Sequence, residues 1–282
     1  MNVGLINGLS GEALRLFLSE NDTCHKKGLA LLDFIAEKIF SCKDYSFENG
    51  ITGFGWLIAF LHQKKYLNIN SDEILEDVDD QIYKITLADL GQDEPSIDKI
   101  LGLVNYFLMR YRNDNLGENY YRKFAHSECL NLLFNYLINY IENCIRDTNI
   151  TPYDFNCCCK ILLKLGYSIE YLSFKNVNDQ LIEFHIYFIL FYEAKRITSK
   201  DFENEIYTEG LLYLLMSAKQ KKYEILEQRL LYIGKKAGEL FLQHFIYKIY
   251  SKRKCDYSLL KDERLLFILT NYIEEEIQLF KH

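Results

Sequence analysis

Proline is nearly absent from this chain: there are 2, Pro95 and Pro152, in 282 residues. With so few breakers, long helices are favoured. Sustained period-two alternation is also missing, which argues against a sheet. Tryptophan occurs once, at Trp56. No apolar run approaches the roughly 18 residues that a membrane span requires, so no span is expected. The N-terminus lacks a basic region, and Gly8, Gly11 and Glu12 interrupt its apolar stretch, so it does not read as a secretory leader. Net charge is -7, and no stripe of Lys and Arg could track a phosphate backbone. The densest basic group, Lys252-Arg253-Lys254 with Lys248 nearby, reads as a helix C-terminus rather than a nucleic-acid site. Gly-x-x-x-x-Gly-Lys-Ser/Thr, Gly-x-Gly-x-x-Gly after a strand, and Gly-x-Ser-x-Gly are all absent.

What is present is apolar and aromatic. Hydrophobic residues make up 49% of the chain, and the 22 Tyr and 19 Phe promise a well-filled core with hydroxyls at its edge. The 8 cysteines include Cys157-Cys158-Cys159 but no Cys-x-x-Cys. They read as reduced, buried thiols of a cytoplasmic protein. Adjacent cysteines on a helix point about 100° apart, so the triplet cannot close on one metal.

Helices are expected at about 8–20, 23–41, 52–65, from Asn70 to about 85, 97–112, 118–145, 151–165, 177–196, 199–218, 222–252 and 258–280. Asn70 with Glu73, and Thr151-Pro152-Tyr153-Asp154, are helix-start signals, and Gly166 reads as a stop. Asp72, Glu73, Glu76, Asp77, Asp79 and Asp80 read as a solvated face opposite Ile74, Val78, Ile82 and Ile85. His185, in an apolar helix, reads as a satisfied core histidine, and the His126/Cys129 pair as packing.

The stretch from Glu48 to His62 organises the rest. Gly50-Ile51-Thr52-Gly53-Phe54-Gly55-Trp56 opens a strongly apolar helix, and Gly8-Leu9-Ser10-Gly11 does the same 42 residues earlier. Gly102 marks a third, degraded version, and Gly210 and Gly238 give later echoes. A period of that size fits one helical hairpin per unit. Gly50, Gly53, Gly55, Trp56 and His62 are the candidate ligand- or partner-binding residues, because glycines at a helix start let a backbone or ligand approach the free N–H groups. The expected fold is all-α, a single domain of helical hairpin repeats spanning residues 1–282.

At these residues the chain resembles the lanthionine synthetase C-like (LanC-like) family, most clearly over residues 1–125. The resemblance implies an α/α toroid, complete or partial, whose Gly-x-x-Gly helix starts face a common centre. The segment from Ser71 to Ile85 is similar to the acidic helix of bacterial members. Catalytic members hold zinc through a late cysteine and an adjacent Cys-His-Gly. The only Cys-His pair here, Cys24-His25, lies early and precedes Lys26, so no metal-ligand or catalytic role carries over to any residue. The chain is therefore expected to be a divergent, non-catalytic member without zinc or other cofactor. It would act as a binding or accessory subunit in peptide modification, with a peptide or protein partner. Two alternatives stay open: a zinc-dependent cyclase with other ligands, and a helical-repeat interaction scaffold.

Overall fold

The computed structural model describes residues 2–236 apart from 7, 20, 93–94, 114–119, 148, 169–176 and 199–204. The expected helix at 258–280, the basic group near 252, Gly238 and Cys255 lie outside the described residues. Within them the fold is all-α, with no strand. The helices are α1 (Leu9–Leu18), α2 (Asp22–Lys38), α3 (Ile51–Gln63), α4 (Ser71–Ile74), α5 (Glu76–Leu90), α6 (Ile97–Arg112), α7 (Tyr120–Arg146), α8 (Pro152–Ser168), α9 (Val177–Thr198), α10 (Glu205–Gln220) and α11 (Glu224–Lys236). None of them is long and apolar enough to cross a membrane. They gather into two compact units, one built from Met1–Tyr136 and one that begins at Leu137.

Three helix starts carry side-chain caps, two of them at the start signals of the sequence, Asn70 and Thr151. The Asn21 side chain accepts the Thr23 N–H at 2.8 Å, and Asn70 accepts that of Asp72 at 3.1 Å. At α8 the Thr151 hydroxyl accepts the Asp154 N–H at 3.1 Å, and Asp154 Oδ2 accepts the Thr151 N–H at 3.3 Å. This is a capping box closed by Asp. Gly166 does not stop α8, contrary to expectation. It lies within the helix, where a Cβ would be 3.2 Å from Ser217 Oγ on α10. Its small size serves helix contact, and α8 runs on to Ser168.

The first unit alternates two kinds of helix. In α3 every residue from Ile51 to Leu61 is buried, and in α6 every residue from Ile100 to Arg110. By contrast α2 buries only Gly28, Leu32 and Ile35. Leu29 is exposed, because the tight contact with α1 falls at Gly28, against the Phe17 ring. α3 packs on α1, α5 and α6. In the second unit α8 and α10 are the enclosed pair, flanked by α9 and α11. Around Phe155 of α8 gather the rings of Phe188, Phe191, Tyr192 and Tyr207.

The two Gly-x-x-Gly starts are built alike. Leu9 N–H donates to Asn2 O at 3.1 Å, and Ile51 N–H to Asp44 O at 3.0 Å. The Ser10 hydroxyl donates to Val3 O, and the Thr52 hydroxyl to Tyr45 O, each reaching back seven residues. A Cβ on Gly11 would lie 2.2 Å from Leu5 O, and one on Gly53 2.1 Å from Phe47 O, each six residues earlier. Every pair is displaced from its counterpart by the same 42 positions as the glycines in the sequence. The two approach segments also join: Val3 N–H donates to Asn49 O and Leu5 N–H to Phe47 O, both at 3.0 Å, and Ile6 N–H to Glu48 O at 3.1 Å. Gly102 departs from this plan. It sits inside α6, well past the Ser96 cap, where a Cβ would meet Phe47 Cβ at 2.6 Å.

Candidate functional site

The five residues singled out at α3 have distinct places. Gly50 caps the helix against Asp44, Gly53 lies against the carbonyl of Phe47, and Gly55 faces the Tyr106 ring, 2.6 Å from where a Cβ would stand. Trp56 is 1% exposed, stacked on Phe60 with centroids 5.1 Å apart and edge-on to Phe47 at 6.0 Å. Its ring is filled on both sides by protein. His62, near the end of α3, is the only one of the five that reaches solvent, and its Nδ1 is buried without a hydrogen-bond partner.

The chemically denser site lies on α4–α7 of the same unit, around Asp79. This carboxylate, fully buried, was expected on a solvated face; it is instead the centre of an ion cluster. Arg110 Nε donates to Asp79 Oδ1 at 3.0 Å, and Nη2 to Oδ2 at 2.8 Å. Arg122 Nη1 donates to Oδ2 at 2.9 Å, and the Tyr106 hydroxyl donates to Oδ1. Arg110 also donates to Asp72 at 2.8 Å and to the Ser71 hydroxyl at 3.1 Å, while Arg122 donates to Glu76 at 2.8 Å. Asn113 Nδ2 donates to Ser71 at 2.9 Å. A buried pair held by a bidentate fork with further hydrogen bonds is the arrangement in which burial of charge is tolerated.

The electrostatics follow. Burial pushes the Asp79 carboxyl up, but the hydrogen bonds and charge of Arg110 outweigh it, and the group lies below the usual carboxylate range. Burial would ease the proton off Arg110, but the hydrogen bonds to Asp79 hold it more firmly than usual. Three carboxylates face two guanidiniums, so neither arginine has charge to spare for an anionic ligand.

His126 borders this cluster at 2% exposure. Its Nδ1 is 2.9 Å from the Tyr83 hydroxyl. Its Nε2 has no hydrogen-bond partner and stands 4.0 Å from Asp79 Oδ2. Burial brings its pKa down to about 4, against the pull of Asp79, so the imidazole is neutral at pH 7. Cys129, one turn on, is pushed up to about 11 by burial and by Glu128, and it is a neutral thiol. With neutral members and saturated ions, the cluster locks α4, α5, α6 and α7 together rather than presenting a nucleophile.

The histidine of the Cys24-His25 pair is already engaged. His25 Nε2 is engaged with Phe17 O at 3.0 Å, and its ring lies edge-on to that of Phe17. Among the described residues no three of His, Cys, Asp and Glu are grouped to hold a metal. His185 in the second unit is satisfied, Nδ1 at 2.6 Å from Leu181 O and Nε2 at 2.9 Å from Ser217 Oγ. Comparison with known protein families, with curated proteins and with solved structures finds no match.

Proposed function

We propose that the protein is a polypeptide-binding helical scaffold of the LanC-like kind, serving as an accessory subunit in peptide modification rather than as a cyclase. The observation that carries this reading is the twice-built helix start, with the same bonds at Asn2–Gly11 and Asp44–Gly53. Repetition of a glycine-based helix start is what a hairpin toroid needs for its inner ring. The alternation of enclosed and one-sided helices supports the same plan. The sequence contains no Cys-His-Gly, which supports a binding role over a zinc-dependent one.

On this reading the partner meets the C-terminal end of α3, where His62 reaches the surface. Affinity capture from the source cell should retain a peptide-modifying enzyme or its peptide substrate in fixed stoichiometry. His62→Ala should weaken that capture while leaving the circular dichroism spectrum unchanged. The purified protein should carry no stoichiometric zinc by elemental analysis. About one zinc per chain, lost on replacing Cys157, Cys158 or Cys159, would overturn the reading in favour of a metal-dependent cyclase.

A further inference from the structure

Three enclosed helices end on a carboxamide whose oxygen has no hydrogen-bond partner. Gln63 is the last residue of α3 and Gln220 the last of α10, while Asn113 caps the C-terminus of α6. Gln63 Oε1, Asn113 Oδ1 and Gln220 Oε1 are each buried and unpaired. Among the described residues six buried side-chain polar atoms are in this state, and His62 Nδ1, next to Gln63, is another of them. Folded proteins pair nearly all such atoms, because an unpaired acceptor loses its water without compensation. Four of the six fall at the ends of enclosed helices, which points to a donor that arrives there from outside.

In the first unit two of these ends stand together. A Cβ on Gly55 of α3 would meet the Tyr106 ring of α6, and one on Gly102 of α6 would meet Phe47, which precedes α3. Earlier residues face earlier residues, so α3 and α6 run in the same direction. At 1.5 Å per residue, Gln63 lies about 12 Å beyond Gly55, and Asn113 about 10–11 Å beyond Tyr106. The two carboxamides are therefore at nearly the same height. Asn113 is held there: its Nδ2 donates to the Ser71 hydroxyl at 2.9 Å, and Arg110 donates to the same hydroxyl at 3.1 Å. His62 and Gln63 are half-buried, so this end of the unit reaches the surface.

Resting on the polypeptide-binding role proposed above, we infer that the C-terminal ends of α3 and α6 clamp the main chain of an extended peptide, with Gln63 Oε1 and Asn113 Oδ1 each accepting a peptide N–H. The chemistry of the group selects this ligand. Both oxygens are acceptors only, so the ligand is a donor. Lys64 and Lys65 follow Gln63 directly, and Arg110 lies one turn before Asn113, so a cationic donor is disfavoured. The nearby arginines already face carboxylates, so an anion finds no charge to spare. A neutral N–H remains, and the negative ends of two helix dipoles attract its positive end. The spacing also fits. Packed helices stand about 8–10 Å apart, and N–H groups on one edge of an extended chain recur about every 7 Å. The Gln63 side chain has the reach to span the difference. Main-chain bonds of this kind give affinity without reading the peptide's side chains.

The probe is an array of short N-acetylated peptides of random sequence, applied to the full chain. A retained peptide is remade with each backbone N–H replaced in turn by N-methyl. Two positions, an even number of residues apart, should each lose roughly threefold to tenfold in affinity, the worth of one hydrogen bond. Gln63→Leu should weaken binding by a similar factor and make one of those two methylations silent. Its denaturation midpoint should not fall, because the lost acceptor has no partner in the free protein. Gln63→Glu keeps an acceptor oxygen and should keep the sensitivity. Asn113→Ala should silence the other position; the Gln63 variants carry the test alone if it fails to fold. Methylated peptides that all bind alike, or losses that persist unchanged in Gln63→Leu, would overturn the clamp while the scaffold reading still stands on partner capture. An array that retains no peptide would also overturn the clamp, and capture of the partner then judges the scaffold reading separately.

Discussion

At the scale of single residues, Asp79 matters most in the first unit. Asp79→Asn would leave Arg110 buried with half of its fork unmatched. Removing one partner of a buried pair costs about 3–5 kcal/mol, and urea denaturation should show a loss of that order. Arg122→Met, at the more open side of the same carboxylate, should cost less. The buried histidines give a pH dependence with a defined sign. His126 and His185 have pKa values of about 4 in the fold, against 6.5 in an unfolded chain. The folded state thus binds fewer protons. The stability tied to their neutrality is complete above pH 6.5 and is lost as pH falls towards 4, on the order of 3 kcal/mol for each. Denaturation midpoints should drop between pH 7 and pH 5, and the drop should shrink in His185→Gln; a flat profile would contradict it. Little of the Asp79 cluster was legible in the sequence, because its arginines lie 31 and 43 residues away. An acid on a helical face looks the same whether its partner is water or a distant guanidinium. The available signal was Arg110 closing an apolar run, one turn beyond Tyr106 on the same face.

At the scale of elements, local chemistry was readable wherever it closed on itself. The capping box of α8 needs only Thr151 and Asp154, and α6 has the bounds that its periodicity and flanking loops imply. Thr151→Ala should cost about 1 kcal/mol, the usual value of a lost N-cap. Gly166 was misread because a glycine that ends a helix and one that admits a neighbouring helix have the same local surroundings. The α3 start gives a sharper comparison. Gly53→Leu would place its Cβ 2.1 Å from the Phe47 carbonyl and 2.5 Å from Leu5 N, both backbone atoms that cannot rotate away. A loss of at least about 3 kcal/mol is expected, at the upper end of ordinary overpacking. Trp56→Phe keeps an apolar ring between Phe47 and Phe60 and should cost less, about 1–2 kcal/mol. A Gly53→Leu protein with an unchanged denaturation midpoint would remove the packing role assigned to the glycine pair.

At the scale of the whole molecule, the all-α class followed from scarce proline and from helical periodicity, neither of which depends on tertiary detail. Circular dichroism should show helix without a sheet component. The enclosed helices α3, α6, α8 and α10 should hold the slowest-exchanging amides, and the one-sided α2 much faster ones. Division into two units was not readable, because no linker marks it: the boundary falls after Tyr136, inside α7.

The twinned helix starts give the protein an internal control. Gly11→Ala and Gly53→Ala would press the same added methyl group against a carbonyl six residues earlier, at nearly equal distance. Only at Gly53 does that methyl also meet the other copy, at Leu5 N and Gly4 Cα. The difference between the two denaturation free energies thus isolates the strength of the seam between neighbouring repeats, with the strain common to both starts cancelled.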